Sequence, residues 1–512
     1  MQLFARKSVD DLAAQAADSE KGLKRTLGKW DLTALGIGAV VGAGIFASIG
    51  SAIAGDAIRL GAGPSIILSF VLTAITCGFA ALCYAEFAAM VPISGSAYTY
   101  AYASLGELVA WIIGWDLIIE YAVGNIAVAI SWSGYFRELM SHFGIAIPAW
   151  LATDYRSAFD AVRAVAQGAS DAPTVYLASA PAAAPHLFGL PIIVNVPAVV
   201  IVGLITWLLV YGVRESATSN SIMVLIKIGI MLFFVAVGAV FIKPENFTAY
   251  GGFAPHGFAG ISTGAAIIFF SYIGFDAVST AAEETKDPKR DMPFGIIASL
   301  IITTVLYILV AVVMTGMAPW QKLGTAEPMI TALQLSGGNP RFVAAARFLV
   351  SFGAVVAMTS VLLVFQLGQP RIFYSMARDG LLPQWAAKVH PKFRTPHVTT
   401  ILTGVFVGVF AAFANISEVI DLTNIGTLFA FAIVSAGVLV LRYKEPHRPR
   451  PFRTPGMPWV PILSIITTVY LMLQLPRLTW WRFILWLGAG MVIYLIYGLR
   501  HSRLRKTREL SQ

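Results

Sequence analysis

Long apolar stretches, separated by short polar breaks, run along most of the 512-residue chain. Each stretch is about 17 to 25 residues long, the length that a helix needs to cross a hydrocarbon layer of ~30 Å. Lipid offers no partner for backbone N–H and C=O groups, so each stretch must satisfy its own backbone as a helix. The pattern predicts an all-α integral membrane protein with twelve transmembrane helices, beginning near residues 32, 64, 106, 196, 217, 260, 295, 341, 398, 420, 458 and 480.

The composition agrees with a lipid environment. Hydrophobic residues make up 57% of the chain, charged residues only 12%, and the mean hydropathy is +0.74. A soluble domain, in contrast, carries roughly a quarter charged residues. The first 30 residues lack an apolar core followed by a small-residue cleavage site, so we expect no cleaved signal peptide.

Lysine and arginine are unevenly distributed among the predicted loops. With the N-terminus inside, they concentrate in the N-terminal segment, in the loops at 286–290, 371–394 and 442–453, and in the tail from Arg500. Positive charge gathers on the cytoplasmic side of membrane proteins. We therefore expect a multi-pass protein of the cell (inner, cytoplasmic) membrane with both termini in the cytoplasm. The net charge of +9 reflects this topology and not a nucleic-acid-binding surface.

Two predicted helices contain glycine-rich breaks, five helices apart. The first span holds Gly36, Gly38, Gly42 and Gly44, and the sixth holds the break within residues 269–276. Glycine weakens a helix by ~1 kcal/mol relative to alanine. Unwound backbone exposes N–H groups that can hold a carboxylate and carbonyls that can hold an ammonium group. Glycine also allows close helix packing, but the five-helix offset favours two unwound helices that bind a zwitterion.

Five sequence motifs together resemble the amino acid-polyamine-organocation (APC) superfamily of permeases. The resemblance is strongest to its cationic amino acid transporter branch and the bacterial relatives of that branch, and it extends over about residues 27 to 500. The motifs are Gly36-Ile37-Gly38-Ala39-Val40-Val41-Gly42-Ala43-Gly44-Ile45-Phe46, Pro92-Ile93-Ser94-Gly95-Ser96-Ala97-Tyr98, Phe270-Ser271-Tyr272-Ile273-Gly274-Phe275-Asp276-Ala277, Glu283-Glu284-Thr285-Lys286-Asp287-Pro288, and Pro370-Arg371-Ile372 through Arg378-Asp379-Gly380-Leu381-Leu382-Pro383.

The resemblance implies a LeuT-like core of five-plus-five inverted repeats with discontinuous helices one and six, working by alternating access. We expect a cytoplasmic N-terminal segment, two repeats, two peripheral helices and a cytoplasmic tail. The corresponding ranges are 1–30, 31–243 (helices one to five, with a long outer loop at 138–195), 244–445 (helices six to ten), 446–500 (helices eleven and twelve) and 501–512.

The same resemblance assigns substrate contacts to the two breaks. Val40, Ala43 and Gly44 would contact the charged ends of the substrate through their backbone, and Phe270 and Ile273 would supply an aromatic gate and carbonyl groups. Many superfamily members have Ser or Thr where this chain has Ala43. Binding of the carboxylate is therefore left to backbone N–H groups alone.

Glu120 and Met358 are the side chains expected to shape the substrate pocket. Glu120 lies in span three, one turn beyond Asp116, so both can share a helix face. It can attract a cationic side chain, or it can hydrogen-bond neighbouring helices; both alternatives stay open. The width of the pocket would depend on Met358 and Val361. Neutral substrates such as alanine and cationic ones such as arginine and lysine also stay open.

Lys227 is a charged residue within the apolar fifth span. An ionisable side chain at membrane depth is a functional candidate because its insertion costs ~2.5 to 3.5 kcal/mol. The alternative is that its long stem lets the ammonium group reach the headgroups. In the family resembled, a lysine here lies between helices one and eight and links protons to transport, so we expect Lys227 to couple protons, with Thr359 and Ser360 as oxygen partners.

Acidic residues follow the break in span six. Asp276, Glu283 and Glu284 are interpreted as inner-gate or helix-end residues and not as substrate ligands, with Glu283, like Phe270, assigned to gating.

The sequence lacks the motifs that are typical of enzymes, metalloproteins and ATP-driven pumps. All seven histidines fall in predicted loops or at span ends, and neither cysteine has a metal-spaced partner. HExxH, P-loop and nucleotide-binding motifs are absent from the sequence. We expect no enzyme activity, no metal and no cofactor besides a coupling proton. Secondary active symport of L-amino acids is the predicted function, with sodium-independent exchange as the alternative and an amino-acid-sensing receptor as a remote one. A small accessory membrane subunit and bound lipid or sterol stay open as partners.

Overall fold

The computed structural model describes residues 4–8, 26–56, 58–91, 96–169, 172–212, 217–393 and 395–505. Within these ranges, the side chains of residues 217–220 and of Glu283 are not described.

Nearly all regular structure in the described ranges is helical. The α-helices are α1 (Lys29–Val40), α2 (Ile49–Ala54), α3 (Ile66–Met90), α4 (Ser96–Ser104), α5 (Glu107–Ser141), α6 (Tyr155–Ala166), α7 (Ala172–Ala178), α8 (Ala180–Ala183), α9 (Val196–Tyr211), α10 (Ala217–Ala239), α11 (Glu245–Thr248), α12 (Gly257–Ile268), α13 (Pro288–Met317), α14 (Pro328–Leu335), α15 (Pro340–Arg378), α16 (His397–Phe413), α17 (Ile416–Lys444), α18 (Trp459–Leu473), α19 (Arg477–Ile493) and α20 (Leu499–His501).

Short 3₁₀ and π segments join several of these helices. The 3₁₀ segments are Gly63–Ser65, Ala149–Leu151, Phe269–Tyr272, Phe275–Glu284, Trp320–Leu323 and Gln384–Ala387, and the π segments are Gly44–Ser48 and Tyr494–Gly498. Strands β1 (His186–Leu187) and β2 (Leu190–Pro191) form a small antiparallel hairpin.

The helices have the length and composition of membrane spans. Among the described residues, eight are long and apolar enough to cross a bilayer, and a ninth candidate is the pair Lys29–Val40 and Gly44–Ala54, which is bent by 41°. Three further apolar helices, α9, α16 and α18, are shorter, with 16, 17 and 15 residues. Each of the twelve predicted starts falls at or near the start of one of these helices. The prediction of a helical membrane protein is confirmed.

The centre of the molecule is built around the first and third spans. Helix α5 packs along α15 and α17, and α1 packs against α10 and α13. In contrast, α18 and α19 expose large apolar side chains such as Trp459, Trp481 and Leu485. Exposed apolar side chains on a membrane helix are typical of a lipid-facing surface, so α18 and α19 lie at the periphery, whereas the most apolar part of α5 is 83% buried inside the protein.

The long connection between α5 and α9 is a small folded unit. It contains α6, α7, α8 and the β-hairpin, with a separate apolar cluster of Ala149, Ala158, Ala180, Ala184 and Ile193. Helix α6 begins where the side chain of Asp154 accepts a hydrogen bond from the Ser157 N–H group at 2.9 Å. Part of the predicted outer loop at 138–195 is therefore helical.

Candidate substrate-binding site

The first break separates α1 from the π segment that begins at Gly44. Helix α1 ends at Val40, and Val41 is extended, with φ −76° and ψ 97°. The Tyr307 hydroxyl donates a hydrogen bond to the carbonyl of Val40 at 3.0 Å. The first N–H groups of a helix have no preceding turn to bond to, so the restart at Gly44 presents backbone donors toward the break.

The second break lies between α12 and the 3₁₀ segment Phe275–Glu284. Ile273 is extended, with ψ 132°, and Gly274 follows in the left-handed region with φ +118°. Glycine adopts such a φ without the steric cost that a Cβ brings. The N–H group of Gly274 donates to a side-chain oxygen of Asp276 at 3.3 Å, so this carboxylate caps the restarted segment.

The two breaks are in direct backbone contact. A Cβ atom at Gly44 would lie 2.3 Å from the Cα of Ser271, and one at Gly274 would lie 2.9 Å from the carbonyl carbon of Ala39. Glycine is required at both positions because the partner atoms belong to the backbone and cannot rotate away. The sequence analysis gave two explanations for the glycines at the breaks, close helix packing and unwinding of the helix. Both apply at Gly44 and Gly274.

A small cavity lies beside the second break. It has about 220 Å³ of empty space, including open solvent, and is lined by Glu120, Tyr121, Ile273, Gly274, Asp276, Ala277 and Phe365. Glu120 and Asp276 are each only 3% exposed. Two buried carboxylates repel each other unless a proton or cation lies between them. The cavity thus combines a preference for positive charge with apolar walls.

Lys227 lies beside the first break and points into the protein. Its side chain is 0% exposed, and its Nζ donates a hydrogen bond to the carbonyl of Gly38 in α1 at 2.5 Å. Helix α10, which carries this lysine, packs against α1, α13 and α15. The alternative in which the ammonium group reaches the headgroups is wrong, because Nζ bonds α1 instead.

Comparison with known proteins identifies the family to which the chain belongs. Residues 27–496 match the family model described as "Amino acid permease". The chain belongs to this family. The expected membership of the APC superfamily is therefore confirmed, and this permease is a membrane transporter and not an enzyme.

Three relatives show the range of proteins that the permease resembles. The branched-chain amino acid permease BcaP of Bacillus subtilis (strain 168) is 45% identical over 505 residues, covering 98% of this chain and 99% of the relative. The methylthioribose transporter of the same organism is 42% identical over 504 residues, with the same shares. The vacuolar cationic amino acid transporter 4 of Arabidopsis thaliana is 35% identical over 447 residues, 87% of this chain and 68% of the relative.

The predicted substrate residues fall into two groups in the permease. Glu120 and Ile273 line the cavity. Five others, Val40, Ala43, Gly44, Phe270 and Met358, are buried but are not part of its described lining. Val40, Ala43 and Gly44 lie at the first break, Phe270 in the turn before the second, and Met358 within α15.

Asp276 lies at the start of the segment that follows the second break. Its side chain caps Gly274, which agrees with the predicted helix-end role. The same side chain also lines the cavity, and the sequence analysis missed this position. Tyr121 and Phe365 were also missed; the only sequence signal for Tyr121 is its place next to Glu120.

The predicted oxygen partners of Lys227 lie on α15. Thr359 Oγ1 accepts a hydrogen bond from Trp132 Nε1 at 2.9 Å and donates one to the Val355 carbonyl at 2.7 Å. Ser360 is buried, and its hydroxyl has no hydrogen-bond partner in the part of the chain that the structure describes. Ser360 thus has an unused donor and acceptor, whereas Thr359 is engaged with α5.

The segment after the second break is tied to the N-terminal segment. The Glu284 carbonyl accepts hydrogen bonds from the N–H groups of Thr26 at 2.9 Å and Leu27 at 3.0 Å, and the Lys286 N–H donates to the Leu27 carbonyl at 2.9 Å. Glu283 lies within this segment, and its side chain lies outside the described part. These bonds place residues 26–27 across the end of the segment in which gating was predicted.

Proposed function

We propose that this permease is a secondary active transporter that carries an L-amino acid together with a proton by alternating access. The observation that carries the proposal is the hydrogen bond from buried Lys227 to the Gly38 carbonyl, next to the break in helix one. A charged donor makes a stronger hydrogen bond than a neutral one. Protonation of Lys227 therefore stabilises the position of α1, and loss of the proton releases it.

The second support is the chemistry of the two breaks. Backbone N–H groups at Gly44 suit a carboxylate, and the pair Glu120 and Asp276 suits an ammonium group. Tyr121, Phe365 and Ala277 leave an apolar wall for an aliphatic side chain. We therefore propose neutral amino acids, with branched-chain ones first, as substrates. Cationic amino acids are the second candidate because Glu120 can pair with their side chains.

The finer membrane architecture belongs to the same proposal. The nine long candidates among the described residues, counting the bent pair, together with three shorter apolar helices, support twelve crossings. Breaks in spans one and six, in mutual contact, are what two inverted five-helix repeats with a LeuT-like fold require. The excess of lysine and arginine on the side of the N-terminus supports cytoplasmic termini and location in the cell membrane.

The experiment is uptake of labelled leucine, alanine and arginine into sodium-free proteoliposomes, with and without an inward proton gradient. We expect the gradient to drive accumulation of leucine and alanine. A protonophore, which dissipates the gradient, should abolish this accumulation. The methylthioribose transporter shares almost as much sequence as the branched-chain permease, so methylthioribose is included as a competitor. Uptake that ignores the gradient and rises only when amino acid is loaded inside would contradict symport and indicate exchange.

A further inference from the structure

A second, larger cavity lies beyond the first break, at the opposite end of the broken helix from residues 26–27. We call it the vestibule. It has about 1150 Å³ of empty space, including open solvent. Its walls come from the π segment and α2, from α5, from the folded unit between α5 and α9, from the turn at 324–327 and from the start of α17. The cavity therefore borders the second half of the broken helix.

The vestibule contains an ion pair between α5 and the turn at 324–327. Arg137 of α5 lies 3.0 Å from Glu327, measured from Nη2 to Oε1, and the two side chains are 19% and 9% exposed. Glu327 lies directly over Gly134, where a Cβ would come within 2.3 Å of its Oε1. The guanidinium carbon of Arg137 is 4.4 Å from the centre of the Tyr176 ring. Packing on both sides therefore holds the two charges at the cavity wall.

Tyr176 is itself fixed, and it belongs to the loop unit. Its hydroxyl donates a hydrogen bond to the carbonyl of Ile147 at 2.8 Å. Neighbouring residues of α7, Pro173 and Thr174, line the vestibule. The folded unit between α5 and α9 thus positions Arg137 through the stacked ring, which gives this unit a role at the entry side.

A contact between α5 and the π segment, nearer the first break, separates the vestibule from the small cavity beside the second break. Tyr135, two residues before Arg137, donates a hydrogen bond to the Phe46 carbonyl at 2.6 Å, and the two rings meet edge to face at 5.9 Å. This contact ties α5 to the π segment at Phe46, nearer the break than the vestibule residues Ala47, Ser48 and Ser51. A solute can therefore occupy the vestibule before the two helices part.

We propose that Arg137 and Glu327 form a first binding site for the zwitterionic head group of an amino acid. The carboxylate of the solute takes the place of Glu327 at the guanidinium fork, and its ammonium group takes the place of Arg137 at the Glu327 carboxylate. This rests on the proposed amino acid transport. An unpaired charge in a partly buried site is costly, and this exchange leaves none, because the solute carries both charges.

The site should discriminate by charge pattern. Arginine pairs with a carboxylate in a planar, two-pronged geometry that an amine or a sugar cannot supply. A solute with only an ammonium group leaves Arg137 unpaired, and a neutral solute cannot separate the pair. Amino acids are therefore favoured at the vestibule over solutes that lack one of the two charges.

The test compares the apparent KM for uptake from outside with the KM for efflux from inside, in proteoliposomes of one orientation. Glu327→Gln should raise the external KM about tenfold, the usual effect of losing one charged hydrogen bond, and leave the internal KM unchanged. The matched control is the neighbouring ion pair Glu138 and Arg347, whose residues are not in the vestibule lining; Glu138→Gln should leave both KM values unchanged.

Equal changes in both KM values, or a fall in kcat alone, would overturn the proposal and leave the pair a structural or gating contact. Failure of the transport proposal itself would look different, because the wild-type protein would then accumulate no amino acid.

A second measurement works if the pair variants do not fold. In an otherwise unchanged chain, Ser51→Cys places a thiol in the vestibule, whereas native Cys77 and Cys83 are buried. External leucine should slow its modification by a membrane-impermeant thiol reagent, and isoamylamine, which lacks the carboxylate, should not. Equal protection by both, or by neither, would contradict the proposal.

Discussion

Gly44 shows how one missing Cβ positions the whole site. An alanine at this position would place its Cβ 2.3 Å from the Cα of Ser271, where neither backbone can yield without separating the two breaks. We predict that Gly44→Ala lowers the initial rate of amino acid uptake at least tenfold. The control is Gly78→Ala in α3, where a Cβ meets nothing within 4 Å. Uptake by Gly44→Ala at the wild-type rate would refute the required close approach.

Lys227 is the residue whose removal should separate binding from coupling. Lys227→Ala removes the hydrogen bond to the Gly38 carbonyl but changes none of the groups that line the cavity. We predict that this variant still equilibrates labelled amino acid across the membrane and no longer accumulates it against a gradient when the outside is acidified. The control is Lys289→Ala, an exposed lysine at the start of α13. Gradient-driven accumulation by Lys227→Ala would exclude this lysine as the coupling group.

At the scale of elements, the sequence predicted the two breaks because their signals are local. Glycines at 42, 44 and 274 lie shortly after the ends of α1 and α12. The lengths of the apolar stretches predicted where the spans begin. The lining of the cavity was predictable only in part. The place of Asp276 depends on the left-handed backbone at Gly274, and that of Phe365 depends on how α15 packs against α5, which no local pattern encodes.

The folded unit between α5 and α9 allows an element-scale prediction. Asp154 caps α6 by accepting from the Ser157 N–H at 2.9 Å, and loss of such a cap costs about 1 kcal/mol. We predict that Asp154→Ala raises amide hydrogen exchange across residues 155–166 about fivefold, whereas Asp154→Asn, which can still cap, changes it little. Unaltered exchange in Asp154→Ala would show that packing alone holds this helix.

At the scale of the whole molecule, the two ends of the described chain meet at the start of α5. Glu107 is 0% exposed and accepts hydrogen bonds from Tyr102, Tyr494, Ser502 and Arg505. Its N–H group donates to the Ala5 carbonyl at 3.0 Å. A buried carboxylate with these donors connects the N-terminal residues, α5 and the C-terminal helix into one unit.

Removing the charge of Glu107 should weaken this unit. Hydrogen bonds to charged groups contribute about 1.5 to 3 kcal/mol each, so we predict that Glu107→Gln lowers the melting temperature of the detergent-solubilised protein by several degrees. Glu245→Gln, at an exposed glutamate of α11, is the control and should leave it unchanged. Equal melting temperatures for Glu107→Gln and the wild type would mean that apolar packing dominates at this end.

The most direct test of proton-coupled transport is the pH inside sodium-free proteoliposomes when an amino acid is added outside, without any imposed gradient. If a proton moves with each substrate molecule, leucine acidifies the interior of vesicles that contain the wild-type protein, and an internal pH dye reports it within the time of uptake. Vesicles containing Lys227→Ala should take up leucine without this acidification. Uptake of leucine by the wild type with a constant internal pH would contradict the account.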